Sequence, residues 1–221
     1  MASNVFGNPI TDRTLKQMTK YKDSKCITAV DRAYEALLMK NADDKDVKAR
    51  ELVEVLKAKY DNGVVRCTPC LIYNATGDRL MYAGSHDWCG HIDASPYPIM
   101  FQNGQWGAFL HVQDIGVATG SVAAVTYKGQ DKNGKCCDWT LSWDNPWDRV
   151  CDKNRVHTKI GGAGQCEIVK WDDVYGDLKK SGLYHEHTLN GCYSTVISGN
   201  AIIPMIEGIM TLEDAWFIKK C

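Results

Sequence analysis

Beyond position 63 the chain breaks into short runs of β-branched and aromatic residues, and nearly every run is closed by Gly, Asn, Asp or Pro. Runs this short and this often interrupted suit strands and leave no room for long helices. They fall at Val64–Tyr73, Arg79–Gly84, Pro98–Phe101, Gln105–Val112, Ser121–Lys128, Cys136–Trp143 and Arg155–Ile160. Closely spaced strands in such a series predict a two-sheet sandwich. The segment Asp131–Lys135 contains Asn133-Gly134, a hairpin signal, so the strands on either side should pair antiparallel inside a sheet. In Cys136–Trp143, the residues Cys137, Trp139, Leu141 and Trp143 alternate with Cys136, Asp138, Thr140 and Ser142, which makes one face of that strand core.

The N-terminal quarter has a different period. Val30, Ala33, Tyr34, Leu37 and Leu38 share one helix face, and Thr28 with Asp31 can cap its start. After a break at Asn41–Asp44, a second helix gathers Ala49, Leu52, Val53, Leu56 and Tyr60 on one face, with Lys48, Glu51, Glu54 and Lys57 outward, and Asn62-Gly63 stops it. Later, a glycine turn at Gly161–Gly164 precedes a short helix at Trp171–Lys180. Tyr184–His187, Cys192–Ile197 and Ile202–Met210 complete the strands. The expectation is a mainly β protein: an antiparallel sandwich flanked by helices. Residues 1–63 form a helical segment packed on a core of residues 64–221, and the whole is one domain, because 221 residues suffice for a single core.

Composition narrows the function classes. Twenty-six basic residues balance 27 acidic ones, so no excess of positive charge draws the chain to a phosphate backbone, and nucleic acid is not expected as a partner. No apolar run approaches the roughly 20 residues of a membrane-spanning helix. Met1–Asn8 has none of the features of a secretory signal, which points to the cytoplasm. There the ten cysteines should be mostly buried thiols. Asn74-Ala75-Thr76 reads as a turn rather than a glycan acceptor.

Common catalytic motifs are absent: there is no GxSxG, P-loop, GxGxxG after a strand, or HExxH. Cys67-Thr68-Pro69-Cys70 has redox or zinc spacing but lacks a second CxxC, and buried thiols are the simpler reading. His185-Glu186-His187 places two imidazoles on one strand face, fewer than a metal site needs, so a solvated or hydrogen-bonded pair is expected and no metal or cofactor is implied. His86, Asp87, His91 and Asp93 share a loop with Trp88 and Cys89; His86, Cys89 and His91 form the candidate active-site set if the fold focuses them. Trp88, Trp147 and Trp171 fall in loops or at a helix start, where burial is least automatic. Such rings suit choline-type headgroups and sugar faces, or else plug the ends of the sandwich.

Longer strings carry a family resemblance. LIYNATGD (Leu71–Asp78), SHDWCGHI (Ser85–Ile92), Pro96-Tyr97-Pro98, NGQWGAFLHV (Asn103–Val112) and CDWTLSW (Cys137–Trp143) closely resemble the jasmonate-induced proteins of plants, over nearly the whole chain. More remotely, GVATGSVAAVTY (Gly116–Tyr127) followed by SWDNPW (Ser142–Trp147) is similar to the actinoporins and related fungal fruit-body lectins. That likeness implies a two-sheet sandwich with a headgroup pocket of loops and one helix. By position it assigns Val117, Ser142, Pro146 and Tyr175 to the pocket, with Trp147 and Trp171 as neighbouring aromatics. It departs where a pocket serine reads Cys89.

Actinoporins form pores by releasing an N-terminal helix. Here the helix near Asp46–Tyr60 carries Lys and Glu that would cost several kcal/mol to bury in a bilayer, so pore formation is not expected. The leading expectation is a stress or defence protein that binds a lipid headgroup or a glycan, with peripheral membrane contact. Its rivals are an enzyme using the His86/Cys89/His91 loop and an interaction or storage module that self-associates as a homo-oligomer.

Overall fold

The structure is a computed structural model that describes residues 4–60, 65–162 and 170–220. In chain order the strands are β1 (Val5–Phe6), β2 (Cys67–Ala75), β3 (Leu80–Cys89), β4 (His91–Ile92), β5 (Met100–Phe101), β6 (Trp106–Val112), β7 (Ser121–Gln130), β8 (Cys136–Asn145), β9 (Arg155–Gly162), β10 (Tyr184–Leu189), β11 (Cys192–Ser198) and β12 (Ile206–Leu212). The helices are α1 (Asp12–Lys16), α2 (Ala29–Leu38), α3 (Lys45–Lys57), α4 (Trp171–Lys180) and α5 (Glu213–Lys220). Expected helices match α2, α3 and α4; the Asn62-Gly63 stop and part of the Gly161–Gly164 turn lie outside the described residues.

Two sheets face each other. The first runs β1-β6-β2-β12-β11-β10, with β4 also on β6, and the second runs β5-β3-β7-β8-β9. The β7–β8 pair lies inside the second sheet, as the Asn133-Gly134 signal requires. Its connection is wider than a two-residue turn: the Asp131 carboxylate accepts from the N–H of Asn133 and Lys135, and Gly134 takes φ +79°. One pairing departs from the antiparallel expectation. β12 joins β2 in parallel, from Ile206↔Cys70 to Thr211↔Ala75. Two strands so far apart in the chain share no turn, so no local residue pattern announces their direction.

Side chains of both sheets meet between them. Phe109 of β6 and Trp143 of β8 approach with ring centroids 5.9 Å apart, and Trp139, Leu141, Ile72 and Met210 fill the same core. The N-terminal helices belong to that cluster too, through Leu15, Ala33, Leu37, Ala49 and Val53. Thr28 and Asp31 make the expected capping box at the start of α2. Polar bonds pin this layer to the first sheet: the Tyr73 hydroxyl donates to Ala36 O at 2.7 Å, and Trp106 Nε1 donates to Lys40 O at 3.0 Å.

The second sheet is covered on its outside by α4, which packs against β8 and β9. That is why both faces of β8 are buried, Thr140, Ser142 and Asp144 included, where the alternation alone pointed to one. β9 is an edge strand with backbone N–H groups to satisfy. Gly182 O accepts from Val156 N at 2.8 Å, and Nδ1 of His185 and His187 accept from Thr158 N and Ile160 N at 3.3 and 3.1 Å. The His-Glu-His motif is therefore a hydrogen-bonded seam between the edges of the two sheets. Cys67 and Cys70 are both buried thiols on β2, as expected, and Cys70 donates to Thr68 O.

Candidate functional site

The segment expected to be a loop, Ser85–Ile92, is mostly strand: β3 runs through Cys89, and β4 follows. Two register shifts, between Tyr82 and Gly84 and between Asp87 and Cys89, break the alternation that would have revealed it. The second shift leaves Trp88 as the extra residue of a bulge, a device that re-aims a side chain.

Trp88 turns toward α4. Trp171, Tyr175 and Lys179 are spaced four apart on that helix and so share a face. The His86 ring stacks on Trp171 at 5.4 Å and 12°, and meets Trp88 edge-on at 5.1 Å; Trp88 then contacts Tyr175 at 5.1 Å. Lys179 Nζ lies 5.3 Å from the centre of the Tyr175 ring. The same ammonium donates to Asp144 Oδ2 at 2.6 Å and to Asp152 Oδ2 at 3.0 Å, and Arg155 bonds both carboxylates from the other side. Burial opposes the Lys179 charge, but its bonds to Asp144 and Asp152 outweigh that and hold the ammonium above its usual range. All four rings are half-buried, so the cluster presents flat surface beside a fixed ionic network.

The other expected site residues form a second group. Arg66 places its guanidinium 4.9 Å from the Trp147 ring centre and donates to Trp147 O at 3.1 Å. Gln113 joins the Val117 loop to it, accepting from Arg66 N and donating to Val117 O. Gly120, at φ +86°, lies against Asn145–Trp147: a Cβ there would come within 2.3 Å of Asn145 O. Val117 and Trp147 thus sit on loops at the end of the sandwich, while Pro146 is buried beneath. Ser142 is buried as well, and its hydroxyl donates to His157 O, so it supports the surface from below and cannot touch a ligand directly. The row Cys89↔Val122↔Asp144 links the two groups across the sheet, and the Cys89 thiol, raised first by burial and next by Asp144, lies alongside Thr119 and Lys179.

Loop tips at this end are apolar. Ile115 is 87% exposed and Val150 96%, and Val117 and Ile202 are also open to solvent. Arg149 braces two of these loops by donating to Asn154, Asn200 and Ala201.

The candidate active-site set does not converge. His86 is stacked with Trp171, Cys89 faces Asp144, and His91 pairs with Asp114 at 2.6 Å; among the described residues no hydrogen bond joins the three. A different constellation, not seen in the sequence, lies behind β3. His111 hydrogen-bonds Ser121 Oγ at 2.9 Å through Nδ1 and Asp87 at 3.2 Å through Nε2. Ser121 and His111 are fully buried, and Ser121 is shared with Thr68 at 2.8 Å. Burial lowers the His111 pKa against the pull of Asp87; His111 and Ser121 are sealed inside the sandwich, while Asp87 reaches solvent. Asp87 on β3, His111 on β6 and Ser121 on β7 come from three separate strands, which is why their meeting has no local signal.

A model of the Nakanori-like protein family matches residues 6–213. This chain belongs to the Nakanori-like family. The 23 kDa jasmonate-induced protein of Hordeum vulgare is 44% identical over 186 residues, covering 83% of this chain and 85% of its own. A jasmonate-induced protein homolog of Atriplex canescens is 30% identical over 106 residues, 48% of this chain and 56% of its own. The crystal structure of the lipid binding protein Nakanori superposes with a TM-score of 0.83 at 27% identity, covering 93% of this chain and 98% of that one. The two-sheet sandwich with its helical layer is thus the architecture of this Nakanori-like family.

Proposed function

We propose that this protein binds lipid headgroups at a membrane surface as part of a jasmonate-triggered stress response, and that it does so from the cytoplasm. The observation that carries the reading is the half-buried ring cluster of His86, Trp88, Trp171 and Tyr175, set beside Lys179 and rimmed by exposed apolar loop tips. Its relation to a lipid binding protein over nearly the whole chain supports the same choice of ligand. The rings supply flat contact area and cation–π attraction for a cationic headgroup, and each such contact contributes about 0.5–2 kcal/mol. Arg66, already over Trp147, offers a donor fork for a phosphate. Ile115, Val117 and Val150 enter the interfacial layer, while Ser142 and Pro146 hold the loops from below. Thiols at the described cysteines suit a reducing compartment.

The test is co-sedimentation of the purified protein with phosphatidylcholine, sphingolipid-containing and anionic vesicles, beside the Trp171→Ala/Tyr175→Ala and Trp147→Ala variants. Binding weakened about tenfold or more in each variant, at near-normal thermal stability, is the expected result. Absence of binding to every vesicle, or binding that the variants leave unchanged, would overturn the reading.

A further inference from the structure

Cys137 lies at the start of β8 in the second sheet and Cys192 opens β11 in the first, and their Sγ atoms lie 3.4 Å apart in the core between the sheets. β8 and β11 belong to different sheets and are not paired, so side-chain packing joins them at this end. Cys67 and Cys70, by contrast, stand three residues apart on one strand and point to opposite faces. We propose that Cys137 and Cys192 are a latent cross-sheet disulfide, open under reducing conditions and closed by a disulfide oxidant such as oxidised glutathione.

The separation calls for a closing movement of about 1.4 Å to reach a normal S–S bond. The chemistry balances in two exchanges. One cysteine thiolate attacks oxidised glutathione, forming a mixed disulfide and releasing one reduced glutathione. The second thiolate then attacks the protein sulfur, forming the Cys137–Cys192 bond and releasing the other. Two thiol protons and two electrons leave the protein, and one oxidant molecule becomes two thiols.

Burial makes the exchange conditional. Both side chains are shielded from solvent, and the bond shared with Cys192 and then burial hold the Cys137 thiol well above its usual pKa. The folded, reduced protein therefore reacts slowly, and the bond forms during folding or through transient opening of the sheet ends. Once closed it ties together positions 55 residues apart and constrains the unfolded chain strongly. Cys26, Cys136 and Cys151 are exposed and so more accessible to the oxidant than the buried pair.

The experiment refolds the full chain from the reduced, denatured state with either reduced or oxidised glutathione, blocks remaining thiols, and maps peptides under non-reducing conditions. A linked pair of peptides containing Cys137 and Cys192 is expected only in the oxidised arm. It should come with a thermal midpoint about 10 °C higher, abolished by dithiothreitol. The Cys137→Ser and Cys192→Ser variants should show no oxidant-dependent gain. Both thiols recovered as blocked monomers from the oxidised protein, or linked to other cysteines, would overturn the proposal whether or not the variants fold.

Discussion

β2 and β3 are neighbours in the chain, yet β2 is buried along its whole length while β3 is buried only at Leu80 and half-open beyond. The difference lies in what covers each sheet. Two helices, α2 and α3, seal the outside of the first sheet with Ala, Leu and Val, whereas among the described residues α4 lies on the second, packing on β8 and β9 and meeting β3 through the rings of His86 and Trp88. Apolar packing closes one face for stability. Over the other, rings and ion pairs hold a helix at the margin of an open strand, where the proposed headgroup site lies.

The largest effect should come from damaging the sealed face. Trp106 is fully buried and bonds Lys40 O, so Trp106→Ala removes a large core side chain and one hydrogen bond. A loss of about 4–5 kcal/mol is expected in urea unfolding. On the open face, Asp144→Ala removes the buried carboxylate and leaves Lys179 and Arg155 with Asp152 as the remaining acceptor, for an expected loss of about 3 kcal/mol together with weaker vesicle binding as α4 shifts. If Asp144→Ala left stability unchanged, the ionic network would not be what holds α4.

The seam of β9 adds a pH dependence to the open side. Burial lowers the pKa of His185 and His187, and that of His157 to about 4; the His157 ring lies tilted against that of His185 with centroids 4.1 Å apart, with Lys159, Asp177 and Glu186 nearby. Folded-state values below the unfolded ones mean that the native protein binds fewer protons. The stability they contribute is present above the unfolded pKa of 6.5 and lost as pH falls through 6.5 toward 4. Acidification should cost about 2–3 kcal/mol by pH 4.5, and His157→Phe should flatten the curve. A wild-type curve already flat across that window would remove the seam as an acid-sensitive element.

These contrasts were unequally legible in the sequence. α2, α3 and α4 followed from helical spacing and a capping pair, and most strands from residues such as Trp139 and Leu141 that alternate cleanly. β3 was cut short because its bulges put Trp88 out of phase, and β12 beside β2 had no local cue for its direction. Trp88 and Trp171 are legible as aromatics in a loop and at a helix start, and Tyr175 by resemblance, but the packing of His86 against Trp171 and Trp88 depends on tertiary structure. The His111–Ser121 network is likewise a product of packing, since three distant segments supply it.

The smallest effect belongs to an ionisable group inside the sealed face. Lys45 is almost fully buried at the start of α3, donating to Gly104 O at 2.8 Å and Tyr73 OH at 3.2 Å, both uncharged acceptors. Burial lowers its pKa to about 8, against the weaker attraction of Asp43 and Asp46. Between pH 8 and the ordinary lysine value of 10.5 the unfolded chain binds the extra proton, so stability should rise with pH there, opposite to the usual alkaline loss. An increase of about 2 kcal/mol between about pH 7.5 and 10 is expected, from urea midpoints, and Lys45→Met should abolish the slope. A slope that persists in Lys45→Met would place its origin elsewhere, and the sealed face would then be as indifferent to protons as its apolar helices suggest.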